Sequence, residues 1–324
     1  MTIALVAVAA RALFYFYSST PQESALSSTQ CQNPSIRREW RTLSTSEKLD
    51  YLDAVVCLTK TPSVLGLNQT LFDDFPFIHT TIGKEGKYHL ESHHSALFLA
   101  WHRYFLHIYE ARLRDVCHYP GSLVFFDWQL NIHDLPSAPI WDPVTGFGGD
   151  GNITGPDTVN VARCVTDGPF ANLPVLYYSN ELKLHCLSRG FQPPVDMERY
   201  YSARVSVEAI DKLMATPRYE EFNLGVEDGP HLSMPHAVLG DFLVDTAPND
   251  PVFFLHHAQL DRLWWKWQKS SPGRLREYNG ASARGSKEPA SLQDQLKFGE
   301  LAANVAVEGV MDTRDGLLCY EYAY

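Results

Sequence analysis

The sequence has no Cys-x-x-Cys pair, no surplus of positive charge and no long unbroken apolar run. Each absence removes a class of function. Without cysteines at knuckle spacing, a zinc ribbon is disfavoured. With 38 acidic against 27 basic residues and a net charge of −11, neither nucleic acid nor an anionic membrane surface is expected as the main partner. The most apolar stretch, Ile3 to Ala10, is broken by Arg11 before Ala12 to Tyr17. It is too short and interrupted for a transmembrane helix, so no stable membrane partner is expected. Residues 1–25 read as a signal peptide or short anchor, ahead of one domain over 26–324.

What is present fits a secretory route. The six cysteines, Cys31, Cys57, Cys117, Cys164, Cys186 and Cys319, are widely spread and even in number. They allow up to three disulfides, whose pairing is not readable from spacing. Asn68-Gln-Thr and Asn152-Ile-Thr are glycosylation acceptors. A secreted, disulfide-bonded glycoprotein is the expectation. At 324 residues and 45% hydrophobic content, the chain can bury a full core.

Two stretches carry chemistry. The first is Asp250-Pro-Val-Phe-Phe-Leu-His256-His257-Ala-Gln-Leu-Asp261-Arg262-Leu-Trp264. On a helix, Asp261 shares a face with His257, where a carboxylate can receive a hydrogen bond from a metal-bound imidazole or fix the helix beside the metal. Taken alone, the stretch also reads as a buried amphipathic helix with a satisfied histidine pair. The second is His93-His94-Ser-Ala-Leu-Phe-Leu-Ala-Trp101-His102-Arg103, with His79 upstream. Together they resemble the dinuclear (type 3) copper proteins: tyrosinases, catechol oxidases and haemocyanins. His93 to Arg103 fits that family's first copper motif, and Asp250 to Trp264 matches every fixed position of its second. The resemblance runs from about Cys31 to the C-terminus and is nearest to short secreted fungal members.

The resemblance implies a mainly α fold: a four-helix bundle holding a dinuclear copper site, with long irregular loops outside. It implies two copper ions, with O₂ as co-substrate. His79, His93 and His102 would hold the first copper, with His89 a competitor for the place of His79. His231, His236 and His257 would hold the second. Neutral imidazoles suit copper, whereas zinc, the generic competitor, more often brings a carboxylate or thiolate. The implied activity is oxidation of phenols and o-diphenols to o-quinones. The substrate is a small phenol or a tyrosine-containing peptide, the latter making the enzyme a tailoring oxidase of natural products. An oxygen carrier is disfavoured by the compact chain, and a copper-poor, non-catalytic homologue is the remaining alternative. No C-terminal shielding domain is expected.

The chain departs from the family pattern in three places. The second copper usually takes His-x-x-x-His, but His231 and His236 are five apart, about 140° around a regular helix. Pro235 stands at the usual position. A π-type bulge near Pro235 is expected to bring His236 inward; otherwise that copper keeps two imidazoles. Glu91 stands where some relatives have a thioether-forming cysteine, so no thioether is expected. Leu232 stands where phenol-hydroxylating members often carry Asn. Glu227, the candidate acid–base carboxylate, then lacks a partner, and diphenol oxidation should exceed monophenol hydroxylation. A plain exposed turn residue is the competing reading of Glu227. His94 is expected to face away, and His107 to be structural. His118, His133 and His185 receive no role. Ser44-x-x-Glu47 predicts a helix start, and a helix is expected over 207–214.

Overall fold

The computed structural model describes residues 31–81, 92–179 and 181–324. The expected leader over 1–25, together with His89 and Glu91, lies outside them. The chain enters through strand β1 (Ser35–Arg37) and helix α1 (Thr45–Leu58). Helix α1 starts where Ser44 Oγ accepts from the Glu47 N–H and the Glu47 carboxylate accepts from the Ser44 N–H. This is the reciprocal cap that the Ser-x-x-Glu spacing predicts.

Helices α2 (Leu71–Thr81) and α3 (Leu97–Asp115) follow. Residues 134–173 are mostly turns, within the long irregular loops that were expected, and a strand follows them. This is β2 (Pro174–Tyr178), paired antiparallel with β3 (Glu181–Cys186) and tied down by the Cys164–Cys186 disulfide. Helix α4 (Val207–Met214) falls on the expected residues. Then come α5 (Tyr219–Asp228), α6 (Ser233–Val238), α7 (Val252–Lys269) and β4 (Tyr320–Tyr322). The fold is mainly α, as expected, with α2, α3, α5 and α7 surrounding the histidines.

Two devices hold α3 and α7 in register. One is apolar: Phe254 stacks on Tyr109 with ring centroids 3.5 Å apart, and Phe75 of α2 meets both edge-on. Such rings bury large area and gain further from geometry. The other is ionic. Asp261 Oδ1 accepts from Arg103 Nε at 2.6 Å, while its Oδ2 accepts from the Tyr322 hydroxyl at 2.6 Å and from the Tyr320 hydroxyl. Arg37 stands beside that oxygen at 3.5 Å and donates to Glu110 at 2.6 Å. Asp261 therefore fixes the helix beside the site rather than receiving an imidazole N–H. The network also draws in the terminal strands, since β1 pairs in parallel with β4 and Cys31 is bonded to Cys319. The start of α7 is clamped as well. Arg189 makes a two-bond fork to Asp250 at 2.6 and 3.0 Å, and Asp250 Oδ1 accepts from the Val252 N–H.

Candidate active site

His79 lies in the last turn of α2, His102 in the second turn of α3, and His93 in the turn before α3. One ring nitrogen from each lies within 4.8 Å of the others, and this is the one such cluster of three metal-ligating side chains among the described residues. Its chemistry calls for a cation. His79 Nδ1 meets the Asp245 carbonyl and His102 Nδ1 meets the Phe98 carbonyl. A carbonyl only accepts, so both Nδ1 atoms carry the proton. The two Nε2 atoms, 3.2 Å apart, then face each other as bare lone pairs. That is repulsive unless a positive ion sits between them, and carbonyl-oriented imidazoles of this kind are how proteins prepare a metal site.

His231 and His257 extend the cluster. The His257 ring stacks on His102 at 4.3 Å and lies 5.3 Å from His231, which is 5.8 Å from His93. His231 Nδ1 donates to the Glu227 carbonyl at 3.2 Å, again leaving Nε2 bare. His257 Nδ1 is buried without a hydrogen-bond partner. The adjacent His256 is different, because both its nitrogens are used. Trp128 Nε1–H donates to its Nδ1 at 3.0 Å, so its Nε2–H donates to the His231 carbonyl, also at 3.0 Å. Between the paired histidines, His257 is thus the ligand candidate, and His256 is a brace for the loop that carries His231.

Burial holds all five candidate ligands neutral. It pushes the imidazole pKa of His93, His102 and His257 well below the ordinary value, that of His231 down to about 3, and that of His79 downward. Neighbouring imidazoles add to the effect at His93, His102, His231 and His257. A neutral imidazole is the form that binds metal.

His236 stands apart. It is half-buried at the rim of the same cavity, with its ring 5.7 Å from that of Tyr200. The π-type bulge expected at Pro235 is absent. Residues 230–232 form a 3₁₀ turn and Ser233–Val238 an α-helix, while a π turn lies at Glu198–Ser202. The reason is local. Pro235 is the third residue of α6, where an N–H would have no helical partner to lose, so nothing forces a bulge. The 3₁₀ turn also winds tighter than a helix, which increases the angle between His231 and His236.

Glu227 is buried at the end of α5, 2% exposed, and is not an exposed turn residue. Its two oxygens accept from the His94 N–H at 2.8 and 3.0 Å. That N–H is presented by a left-handed backbone at His94 (φ 50°). The His94 ring itself is half-exposed and, against expectation, borders the cavity. Burial pushes the Glu227 carboxyl up to about 8, against the His94 N–H, which lowers it. His107 is structural, its ring stacked on Tyr104. His185, given no role from the sequence, pairs with buried Asp241 at 2.9 Å, and Asp241 accepts in turn from Asn249 and Ser188. The cavity over the imidazoles measures about 250 Å³ and is walled by Leu232, Pro235, Phe242, Val244 and Phe253.

Residues 69–270 match the family described as the common central domain of tyrosinase. The chain is 45% identical over 314 residues to the tyrosinase-like protein phomQ1' of Diaporthe leptostromiformis, covering 90% of this chain and 81% of that protein. It is 43% identical to the tyrosinase ustQ of Aspergillus flavus, with coverage of 90% and 80%. Among solved structures, a polyphenol oxidase from Thermothelomyces thermophila superposes with a TM-score of 0.74 at 28% identity, covering 90% of this chain and 89% of that one.

Proposed function

The chain belongs to the tyrosinase family and is a tyrosinase-like copper oxidoreductase, and from that premise we propose that it oxidises o-diphenols to o-quinones with O₂. The observation that carries this reading is the pair of bare Nε2 atoms of His79 and His102 meeting at 3.2 Å, with His93, His231 and His257 closing around them. His79, His93 and His102 would hold one copper. His231 and His257 would hold the second, with His236, which borders the same cavity, as its third candidate ligand. Copper bound there supplies one-electron redox chemistry toward O₂, so that two diphenols and one O₂ give two quinones and two waters.

The chain's own residues bind and orient the substrate. Leu232, Phe242 and Phe253 take the ring and exclude water, which strengthens every polar interaction inside. Glu227, whose carboxyl is pushed up to about 8 by burial, receives and returns the phenolic proton. Leu232 offers it no hydrogen-bonding partner, so a monophenol, which has to lose its proton before it can be attacked, is served less well than a catechol. The three disulfides and the acceptor sequons support a secreted protein, and no described helix is long and apolar enough to cross a membrane.

Metal analysis with a panel of catechols and monophenols tests the proposal. Near two coppers per chain and faster turnover of a catechol than of its monophenol support it. Fewer than two coppers after reconstitution, with no quinone formed, would overturn it. Turnover of the monophenol at or above that of its catechol would remove the diphenol preference alone.

A further inference from the structure

Among the described residues, the cavity lining contains one permanent cation, Arg284. It comes from none of the histidine-bearing helices but from the loop after α7, and the construction of that loop is specific. Ala281 and Pro289 form a bridge, the Ser282 N–H donates to the Glu288 carbonyl at 2.9 Å, and the Ala290 N–H donates to the Gly280 carbonyl at 2.8 Å. The tip is a tight turn, Ser286 N–H to Ala283 carbonyl, closed by Gly285 at φ 72°. Arg284 lies inside that turn. The root is fastened to the site, because the Ala96 N–H, at the entry to α3, donates to the Ala281 carbonyl at 2.9 Å. Asn279 Oδ1 and Glu277 Oε1 accept from the first N–H groups of α5, the helix that carries Glu227.

An arginine held this way and left to solvent would be unremarkable anywhere else on the surface. Here it is exposed, it has no ion pair or hydrogen bond among the described residues, and it stands where the cavity opens. Three acids, Glu227, Asp228 and Asp245, line the cavity with it, and none is bonded to it. Glu227 is bonded to the His94 N–H, and the Asp228 carboxylate lies 3.9 Å from the His94 ring. Apart from Asp245, the remainder of the wall is apolar or imidazole. On a chain of net charge −11, an anionic substrate is repelled at long range. The Arg284 guanidinium, unpaired among the described residues, is the fixed positive charge in the lining on which a substrate carboxylate can dock, and its planar fork matches that group.

We propose that Arg284 is a specificity-determining residue that selects phenols bearing a carboxylate, holding the acid at the mouth while the ring lies against Leu232 and Phe253 beside the imidazoles. The proposal rests on the phenol-oxidase reading and narrows its substrate class to phenolic acids, including a peptide whose carboxylate lies near its tyrosine. Arg284 touches the substrate remote from the reacting atoms, so its contribution is to binding.

The test uses the copper-loaded full chain and two matched catechols, 3,4-dihydroxyphenylpropionate and 4-methylcatechol. Arg284→Gln should raise KM for the acid about tenfold with kcat little changed, and leave both constants for 4-methylcatechol within about twofold. Arg284→Lys should recover part of the loss, because the charge remains and the fork does not. Equal changes for both substrates, or none for the acid, would overturn the proposal. Calorimetric binding of 3-phenylpropionate, which is not oxidised, gives a readout independent of turnover. Weaker binding to Arg284→Gln than to the unaltered protein upholds the role of Arg284 even if neither catechol is oxidised, in which case the oxidase reading alone fails. Equal binding to both proteins overturns it.

Discussion

His236 and Pro235 show how much one position can decide. The imidazole and the pyrrolidine both border the cavity, one at its rim and one in its wall, and only the imidazole can ligate. If His236 turns in to complete the second site, His236→Ala should lower copper from near two to near one per chain, because a site with two imidazoles holds its ion far less well. His102→Ala should cost the other copper. An unchanged content in His236→Ala would mean that His231 and His257 suffice. At this scale the sequence was readable where side-chain chemistry alone sets the role. His79, His93, His102, His231 and His257 converge as their spacing implies. It was not readable where the backbone acts. The left-handed turn that points the His94 N–H at Glu227 has no signature in residue type, and the burial that lifts the Glu227 carboxyl comes from helices distant in sequence. His107 belongs here too. Burial, with Arg37 nearby, lowers its pKa to about 4, against an unfolded value near 6.5. Below pH 6.5 the unfolded chain therefore binds the extra proton and the folded chain does not, so stability is lost as pH falls toward the folded value. Melting His107→Gln and the unaltered protein, both copper-loaded, from pH 7 to 5 should show the shallower decline in the variant, by on the order of 1 kcal/mol.

Among the elements, α3 and α7 matter most, because each carries a candidate ligand and each is held by the other. The residue after His102 is Arg103, and the residue four after His257 is Asp261; these two bond to each other at 2.6 Å. The motif positions that surround the ligands are thus the fastening between the helices that carry them. Asp261 is 3% exposed and accepts from Arg103, Tyr320 and Tyr322, so removing its charge leaves buried Arg103 and Arg37 short of a counter-ion. Asp261→Asn should cost about 3–5 kcal/mol in chemical denaturation, the usual penalty for breaking a buried ion pair from one side. It should also loosen copper, since α7 would no longer be held to α3. A loss under 1 kcal/mol would show that the tyrosines and water compensate. Helices α1, α4 and α7 were legible from apolar spacing and from the Ser44 cap, whereas α5, which carries Glu227, was not. The β2–β3 hairpin was not legible either, because its first strand lies at the end of residues 134–180, whose proline, glycine and asparagine content reads as loop, and its second strand is tied back to Cys164 by a cross-link.

Across the whole molecule, the two ends of the described chain meet behind the site. Strand β1 pairs with β4, Cys31 is bonded to Cys319 across 288 residues, and Tyr320 and Tyr322 of β4 reach Asp261. Closing so long a loop removes much of the freedom of the unfolded chain, and it holds the two tyrosine hydroxyls on a carboxylate four residues from the candidate ligand His257. No spacing rule could have paired these six cysteines, since loop-closure cost grows only slowly with length and does not select partners. The consequence is a coupling between redox state and the metal centre. Replacing both Cys31 and Cys319 with serine should lower stability by about 2–5 kcal/mol and quicken copper loss to a chelator, because β4 frays first and Asp261 loses two of its donors. Replacing Cys164 and Cys186, whose bond closes a much shorter loop with a sequence separation of 22, should cost less in both respects. If the two double variants released copper at the same rate, the terminal clasp would have no special hold on the site, and the disulfides would act on stability alone.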